Sequence, residues 1–211
     1  MTVRGLGATH DERRWEILDA VFTIVDTEGA QQVTIRRVAA VAGVSVGRVQ
    51  HYFPTKDALL TGAFTAVNEL GTERVRQRIP ENGVEGEGPA SILDAVLTEL
   101  IPETADDCRL VRVAQAFETY AYTRSELKDR VVRGYDELVS LLAQLIGGCL
   151  ATDGGKQADA ARFRSWAYEL LGLATGLAAL VVVDALAPRA ARDILTHRLT
   201  ELLDAPPEAV G

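Results

Sequence analysis

Residues 33–53 read VTIRRVAAVAGVSVGRVQHYF, and the punctuation of this stretch decides the fold. Thr34 precedes a short apolar-periodic run in which Ile35, Val38 and Ala39 fall at i, i+3 and i+4, one face of a helix. Its hydroxyl is placed to cap that helix, 35–41. Gly43 stops the run where a tight turn needs positive φ. Ser45 caps a second short helix, 46–52, which Pro54 ends by disfavouring helical backbone before it. Ala39 is small, as needed where two helices cross closely. Val44 plugs the gap, Val49 faces inward and Phe53 closes the unit. Two short helices joined by such a turn follow the helix-turn-helix plan, whose second helix enters the major groove of DNA.

The residues left facing outward suit nucleic acid. Arg48 can donate bidentately to guanine, and Gln50 can pair with adenine. His51, Tyr52 and Lys56 can reach phosphates. Thr34 and Ser45, at helix N-termini, add hydroxyl and backbone N–H donors. Gly47 lets the backbone come close. The candidate DNA-binding set is therefore Thr34, Ser45, Gly47, Arg48, Gln50, His51, Tyr52 and Lys56. The plainer alternative is that Arg48 and Gln50 are solvated helix residues and that His51 packs structurally.

Outward from this stretch the chain is helical in pattern, with almost no period-two alternation. Upstream, Ile17, Val21, Ile24 and Val25 form one apolar face of a helix over 11–28, with Gly29 as its C-cap. Downstream, Thr55 caps a longer helix to about Arg78, with Asp57 in its first turn. A Gly- and Glu-rich loop is expected over 80–89. Helices are expected over 90–100, 104–122, 126–148 and 157–185, with Thr152–Gly155 as punctuation. Pro188 opens a last helix to about Leu203, and the tail 205–211 should fray. The reading is all-α, about nine helices, with a helix-turn-helix domain over 1–55 and a ligand-binding and dimerisation domain over 56–211.

Here the sequence resembles the TetR family of bacterial regulators. The resemblance rests on Gly29, Thr34-Ile35, Val38-Ala39, Ala42-Gly43-Val44-Ser45, Gly47, Phe53, Lys56 and Leu59-Leu60, and it covers roughly residues 14–61. It implies a dimer with an N-terminal three-helix DNA-binding unit and a larger helical ligand-binding domain. It also implies control by a small effector, more commonly by repression than by activation. Three positions depart from the family pattern. Arg48 and Gln50 stand where many relatives carry Ser or Thr and Tyr, which shifts the expectation toward base reading. Ala30 stands where an aromatic is usual.

Composition sets limits on these readings. The formal net charge is −8, yet residues 1–60 hold seven basic and seven acidic side chains, so the acidity lies in the remainder. DNA binding needs a local basic face, not a basic whole. Cys108, Cys149 and three scattered histidines give no metal-ligand spacing, and no cofactor is expected. The run 170–183 is too short to cross a bilayer, and no secretory h-region opens the chain, so a cytoplasmic protein without a membrane partner is expected. No phosphate loop, nucleophile elbow or zinc-hydrolase motif argues for an enzyme.

In the C-terminal part the expected partners are a second copy of the chain and a small apolar or planar effector. Phe64, Phe117, Tyr120 and Trp166 are the candidate effector lining, against the alternative of plain core packing. Leu173, Leu177, Leu180, Val181, Ile194, Leu195, Leu199 and Leu202 are the candidate dimer surface, with Gly172, Ala174, Gly176 and Ala178 permitting close approach. A dimer would bind an approximately palindromic operator. The competing reading is a helical ligand-sensing dimer that acts through a protein partner without specific DNA binding.

Overall fold

The computed structural model describes residues 6–78, 88–150 and 160–204. Among them are nine α-helices and no strand. They group into two compact units, the first of residues 6–69 and 109–129, the second of 70–78, 88–108, 130–150 and 160–204.

The first unit opens with α1 (Leu6–Glu28), α2 (Ile35–Val41), α3 (Val46–Tyr52) and the first part of α4 (Lys56–Arg78). α1 starts five residues before the expected Asp11. Periodicity marks only the residues that reach the core, which begin at Ile17, while His10–Glu12 extend the helix into solvent. Gly29 (φ 88) ends α1, and a 3₁₀ turn at Ala30–Gln32 leads to α2. The half-buried Ala30 thus stands in that turn. The core gathers Ile17, Leu18, Val21 and Ile24 of α1, Val38 and Ala39 of α2, Val49 of α3, then Phe53, Leu59 and Leu60. Each large side chain buried this way stabilises by roughly 1.5–3 kcal/mol.

The unit also holds the greater part of α6 (Ala105–Ala121) and the start of α7 (Ser125–Leu150). Arg109 of α6 donates through Nη2 to the backbone oxygen of Asp19, to its Oδ1, and to Thr23 Oγ1 at 2.7–3.1 Å. Arg112 donates through Nε to Asp26 Oδ1 at 2.5 Å. The contacts of the N-terminal helices therefore run past residue 55 into α4 and α6. The helices α4, α6 and α7 each continue from one unit into the other.

The second unit contains the rest of those helices with α5 (Pro89–Glu99), α8 (Arg164–Val182) and α9 (Pro188–Asp204). Proline opens both α5 and α9, where its missing N–H costs nothing. α6 begins on a reciprocal cap. The Asp107 carboxylate accepts from the backbone N–H groups of Glu103 and Thr104 at 3.2 and 2.9 Å, and Thr104 Oγ1 accepts from Asp107 N–H at 3.1 Å. The expected helix 157–185 is shorter: a 3₁₀ turn at Ala160–Phe163 precedes it, and it ends at Val182. There Asp184 adopts φ 57 and Ala185 N–H reaches back to Leu180 O at 2.9 Å, the closure usually given to glycine. Of the loop expected over 80–89 only the end is described, where Gly88 caps α5 and Pro89 is already its first residue; the rest of it, the punctuation at 152–155 and the tail from 205 lie outside the described residues.

Leu93, Val96, Leu97, Val139, Leu142, Ile146, Phe163, Trp166, Leu170 and Ala174 build the core of this unit. By length and composition α8 could cross a membrane. Eight of its residues, from Trp166 to Val181, are buried here. This core corrects part of the expected dimer surface. Leu177, Val181, Leu195, Leu199 and Leu202 are buried within the chain itself, and Leu173 is half-buried against the same cluster. The apolar stripe at i, i+3 and i+4 is the inner face of the α8–α9 pair. Only Leu180 (46% exposed) and Ile194 (44%) of the eight turn outward, together with Val183 (68%).

Candidate nucleic-acid interface

α2 and α3 are both fixed at their ends by their own sequence. Thr34 Oγ1 accepts from Arg37 N–H at 3.1 Å, and Ser45 Oγ accepts from Arg48 N–H at 3.2 Å, each supplying one of the acceptors a helix N-terminus lacks. Gly43 (φ 66) closes α2, with Val44 N–H bonded to Ala39 O at 3.0 Å. Phe53 closes α3, its N–H bonded to Val49 O at 2.8 Å and its ring 5% exposed. α4 passes so close that a Cβ on Gly62 would sit 2.5 Å from Phe53 Cε1. The guanidinium of Arg14 lies over the same ring at 5.6 Å.

With Val49 inward, α3 turns Val46, Gly47, Arg48, Gln50 and His51 to solvent. Thr34 and Ser45 are exposed beside them. Tyr52 is half-buried, its ring 4.7 Å from that of His10 and 5.2 Å from that of His51. Lys56 is more engaged than its sequence position suggests. Its Nζ donates to Gln31 O at 3.0 Å and lies 5.3 Å from the centre of the Tyr120 ring. Partial burial, then the neighbouring Arg124 charge, push its pKa down.

Sequence reasoning passed over Arg36, which is exposed on α2 with no acidic residue between positions 34 and 56. Its place beside the inward Ile35 and Val38 could have shown it. Arg37, by contrast, is taken by Glu28: its Nε and Nη2 meet the carboxylate at 2.5–3.2 Å. That pairing raises the Arg37 pKa and lowers that of Glu28. No sequence periodicity reports this contact across nine residues.

The four expected effector-lining residues divide between the units. Phe64 and Phe117 stack at 4.4 Å in the first, where Phe117 is 1% exposed. Tyr120, in the same unit, donates its hydroxyl proton to Asp57 Oδ1 at 2.9 Å and carries the Arg124 guanidinium 3.6 Å above its ring. Burial, then the Asp57 hydrogen bond, push the Tyr120 pKa up. Trp166 belongs to the second unit, where it packs against Phe163.

Comparison with known proteins gives this geometry its context. Residues 17–63 match the family model for bacterial regulatory proteins of the tetR family, and residues 89–204 match that of the BetI-type transcriptional repressor C-terminal region. The HTH-type transcriptional regulator PksA of Bacillus subtilis is 28% identical over 83% of this chain and 81% of its own length. The HTH-type transcriptional regulator BetI 1 of Chromohalobacter salexigens is 31% identical over 69% and 71%. A transcriptional regulator from Rhodococcus sp. Rha1 shares the fold, with a TM-score of 0.75 at 24% identity over 90% of this chain and 95% of that one.

A capped helix-turn-helix of this kind, on an all-α chain with such relatives, defines a DNA-binding transcriptional regulator and not an enzyme. The chain belongs to the TetR family, with a C-terminal region of the BetI type.

Proposed function

We propose that the chain is a homodimeric repressor that binds a palindromic operator through α3 and is released by a small apolar or planar effector. The observation that carries the dimer is the outward face of α8 and α9. Their inner faces are already satisfied by the core, yet Leu180, Val183 and Ile194 remain in solvent, with exposed Gly172, Thr175 and Gly176 on the same side of α8. Small residues let a second α8–α9 pair approach closely, and four helices then form one bundle. Two α3 helices about 34–36 Å apart would enter successive major grooves. Repression is favoured by the description of the matched C-terminal model.

Release follows from a two-state equilibrium in which effector favours a dimer whose reading heads no longer match DNA. Coupling of about 1–3 kcal/mol changes operator affinity about 5–150-fold. Two helices that run between the units are fastened to the head within the first unit: α6 through Arg109 and Arg112 on α1, and α4 through Gly62 against Phe53. An effector acting on either helix has a mechanical path to α3. Phe64, Phe117 and Tyr120 lie on these helices, so a ligand that parts the Phe64–Phe117 stack would move both.

The test joins selection from random DNA with a measurement of mass in solution. The wild type should select an inverted repeat and run as a dimer. Leu180→Glu with Ile194→Glu should keep its helical signal, run as a monomer and lose the operator. A monomeric wild type, or a charge variant that still dimerises and binds, refutes the dimer surface. A ligand that binds tightly and leaves operator affinity unchanged refutes the coupling.

A further inference from the structure

On the outward face of α3 two residues are poorly suited to a helix of seven residues. Val46 is β-branched and Gly47 follows it directly, and both form helix less readily than alanine. Neither is required by the fold. Val46 is 41% exposed. A Cβ added at Gly47 would meet nothing within 4 Å, so no packing inside the protein excludes a side chain there. Gly47 is also not at a positive φ, unlike Gly29 and Gly43, so the backbone does not demand glycine. What profits from a missing side chain at 47 must therefore come from outside the chain. A lone exposed valine is ordinary on a protein surface. Its position here is not, since it lies one turn from the exposed Gln50 on a helix that also leaves Arg48 and His51 exposed.

Val46 and Gln50 lie at i and i+4, one above the other on that face. Gln50 has the amide geometry for adenine N6 and N7, and the partner of adenine carries the one apolar feature of the major groove, the thymine 5-methyl group. We propose that Val46 is a specificity-determining residue that covers a thymine methyl in each operator half-site, with Gly47 leaving the room for α3 to approach. This rests on the operator-reading role of α3 proposed above. The consequence is a half-site containing an A·T pair that is read partly by shape of an apolar group, beside a guanine available to Arg48.

Replacing thymine by deoxyuridine removes only that methyl. The experiment takes the operator selected by the full-length protein and exchanges each thymine in turn. One position per half-site should weaken wild-type binding about fourfold, and the symmetric double exchange about fifteenfold, as expected for one buried methyl each. Val46→Ala should weaken binding to the thymine operator and be indifferent to deoxyuridine at that position. Gly47→Ala should raise the unfolding midpoint while lowering operator affinity. The proposal is overturned if no thymine exchange matters, if sensitivity survives intact in Val46→Ala, or if Gly47→Ala binds as well as wild type. Failure to select any specific sequence would instead refute the operator-reading role itself, and this inference with it.

Discussion

Gly62→Ala should destabilise the protein although helix propensity alone predicts the reverse. In the interior of a helix alanine is favoured over glycine by about 0.8–1 kcal/mol. At Gly62 that gain meets a steric cost. The added methyl would lie 2.5 Å from Phe53 Cε1, 3.3 Å from Phe53 Cδ1 and 3.3 Å from Leu18 Cδ2. Normal carbon contacts lie at about 3.5–4.0 Å, so the ring must retreat by about 1 Å. It cannot swing aside as a flexible chain would: Phe53 is 5% exposed, and Leu18 beside it is fully buried. Overpacking of this kind costs roughly 1–3 kcal/mol, leaving a net loss near ~1 kcal/mol. Gly71, on the same α4, is the control. Nothing lies within 4 Å of its Cβ position, so Gly71→Ala should gain about 0.8–1 kcal/mol. Urea unfolding of both variants should therefore separate them by ~2 kcal/mol. Operator binding should weaken only in Gly62→Ala, since Phe53 closes α3. Equal stability of the two variants would refute the reasoning, because it would mean that the α4–Phe53 contact does not constrain the head.

Three further outcomes follow from the geometry. Ser45→Ala should cost about 1 kcal/mol of stability, while Ser45→Asp should keep the cap yet bind operator more weakly by placing a carboxylate near phosphate; urea midpoints and operator titrations separate the two effects. Burial pushes the Asp107 carboxyl up, but the Thr104 backbone and hydroxyl and the Arg74 guanidinium outweigh it and hold the carboxyl below its usual range. A lowered carboxylate pKa gives stability that is present above the unfolded value of about 3.9 and lost as pH falls through the folded one, so the advantage of wild type over Asp107→Asn in urea midpoint should shrink below about pH 4. If Arg36 and Lys56 of each of two protomers displace counterions, operator affinity should fall with log salt at a slope of about −4, and Lys56→Ala should flatten it by about 2.

The sequence disclosed what local rules govern. The caps at Thr34 and Ser45, the stop at Gly43 and the closure at Phe53 were readable because each acts within four residues of itself. Helix number was readable because the apolar period is written along the chain. What escaped was set by distance in sequence. The eight apolar residues assigned to a dimer surface share one period, and periodicity cannot say whether a stripe meets its own core or a second chain. Five of them are buried in the core and a sixth, Leu173, packs against it. The candidate effector aromatics show the same limit: Phe117 finds Phe64 across 53 positions, and Trp166 finds Phe163 at short range in a different unit. The engagement of Lys56 with Gln31 and of Arg37 with Glu28 belongs to the same class.

Charge shows most clearly why a window of sequence misleads. Residues 1–60 are neutral by count, a poor start for a surface meant to meet phosphate. Four of the seven carboxylates of that window are engaged, however. Glu28 is held by Arg37, Asp19 by Arg109, Asp26 by Arg112, and Asp57 accepts from Tyr120 with Arg124 3.9 Å away. Three of those four arginines, Arg109, Arg112 and Arg124, lie far beyond the window and enter the same unit through α6 and the segment after it. Arg36 and Arg48 remain exposed on a stretch that holds no acidic residue. The remaining acids of α1, Asp11, Glu12 and Glu16, line an open groove with Trp15. On the operator-reading role proposed for α3, a phosphate backbone would meet the α2–α3 face, where Arg36 and Arg48 are exposed, away from Asp11, Glu12 and Glu16. The ion pairs that engage Asp19, Asp26, Glu28 and Asp57 would then bias that orientation before any base is touched.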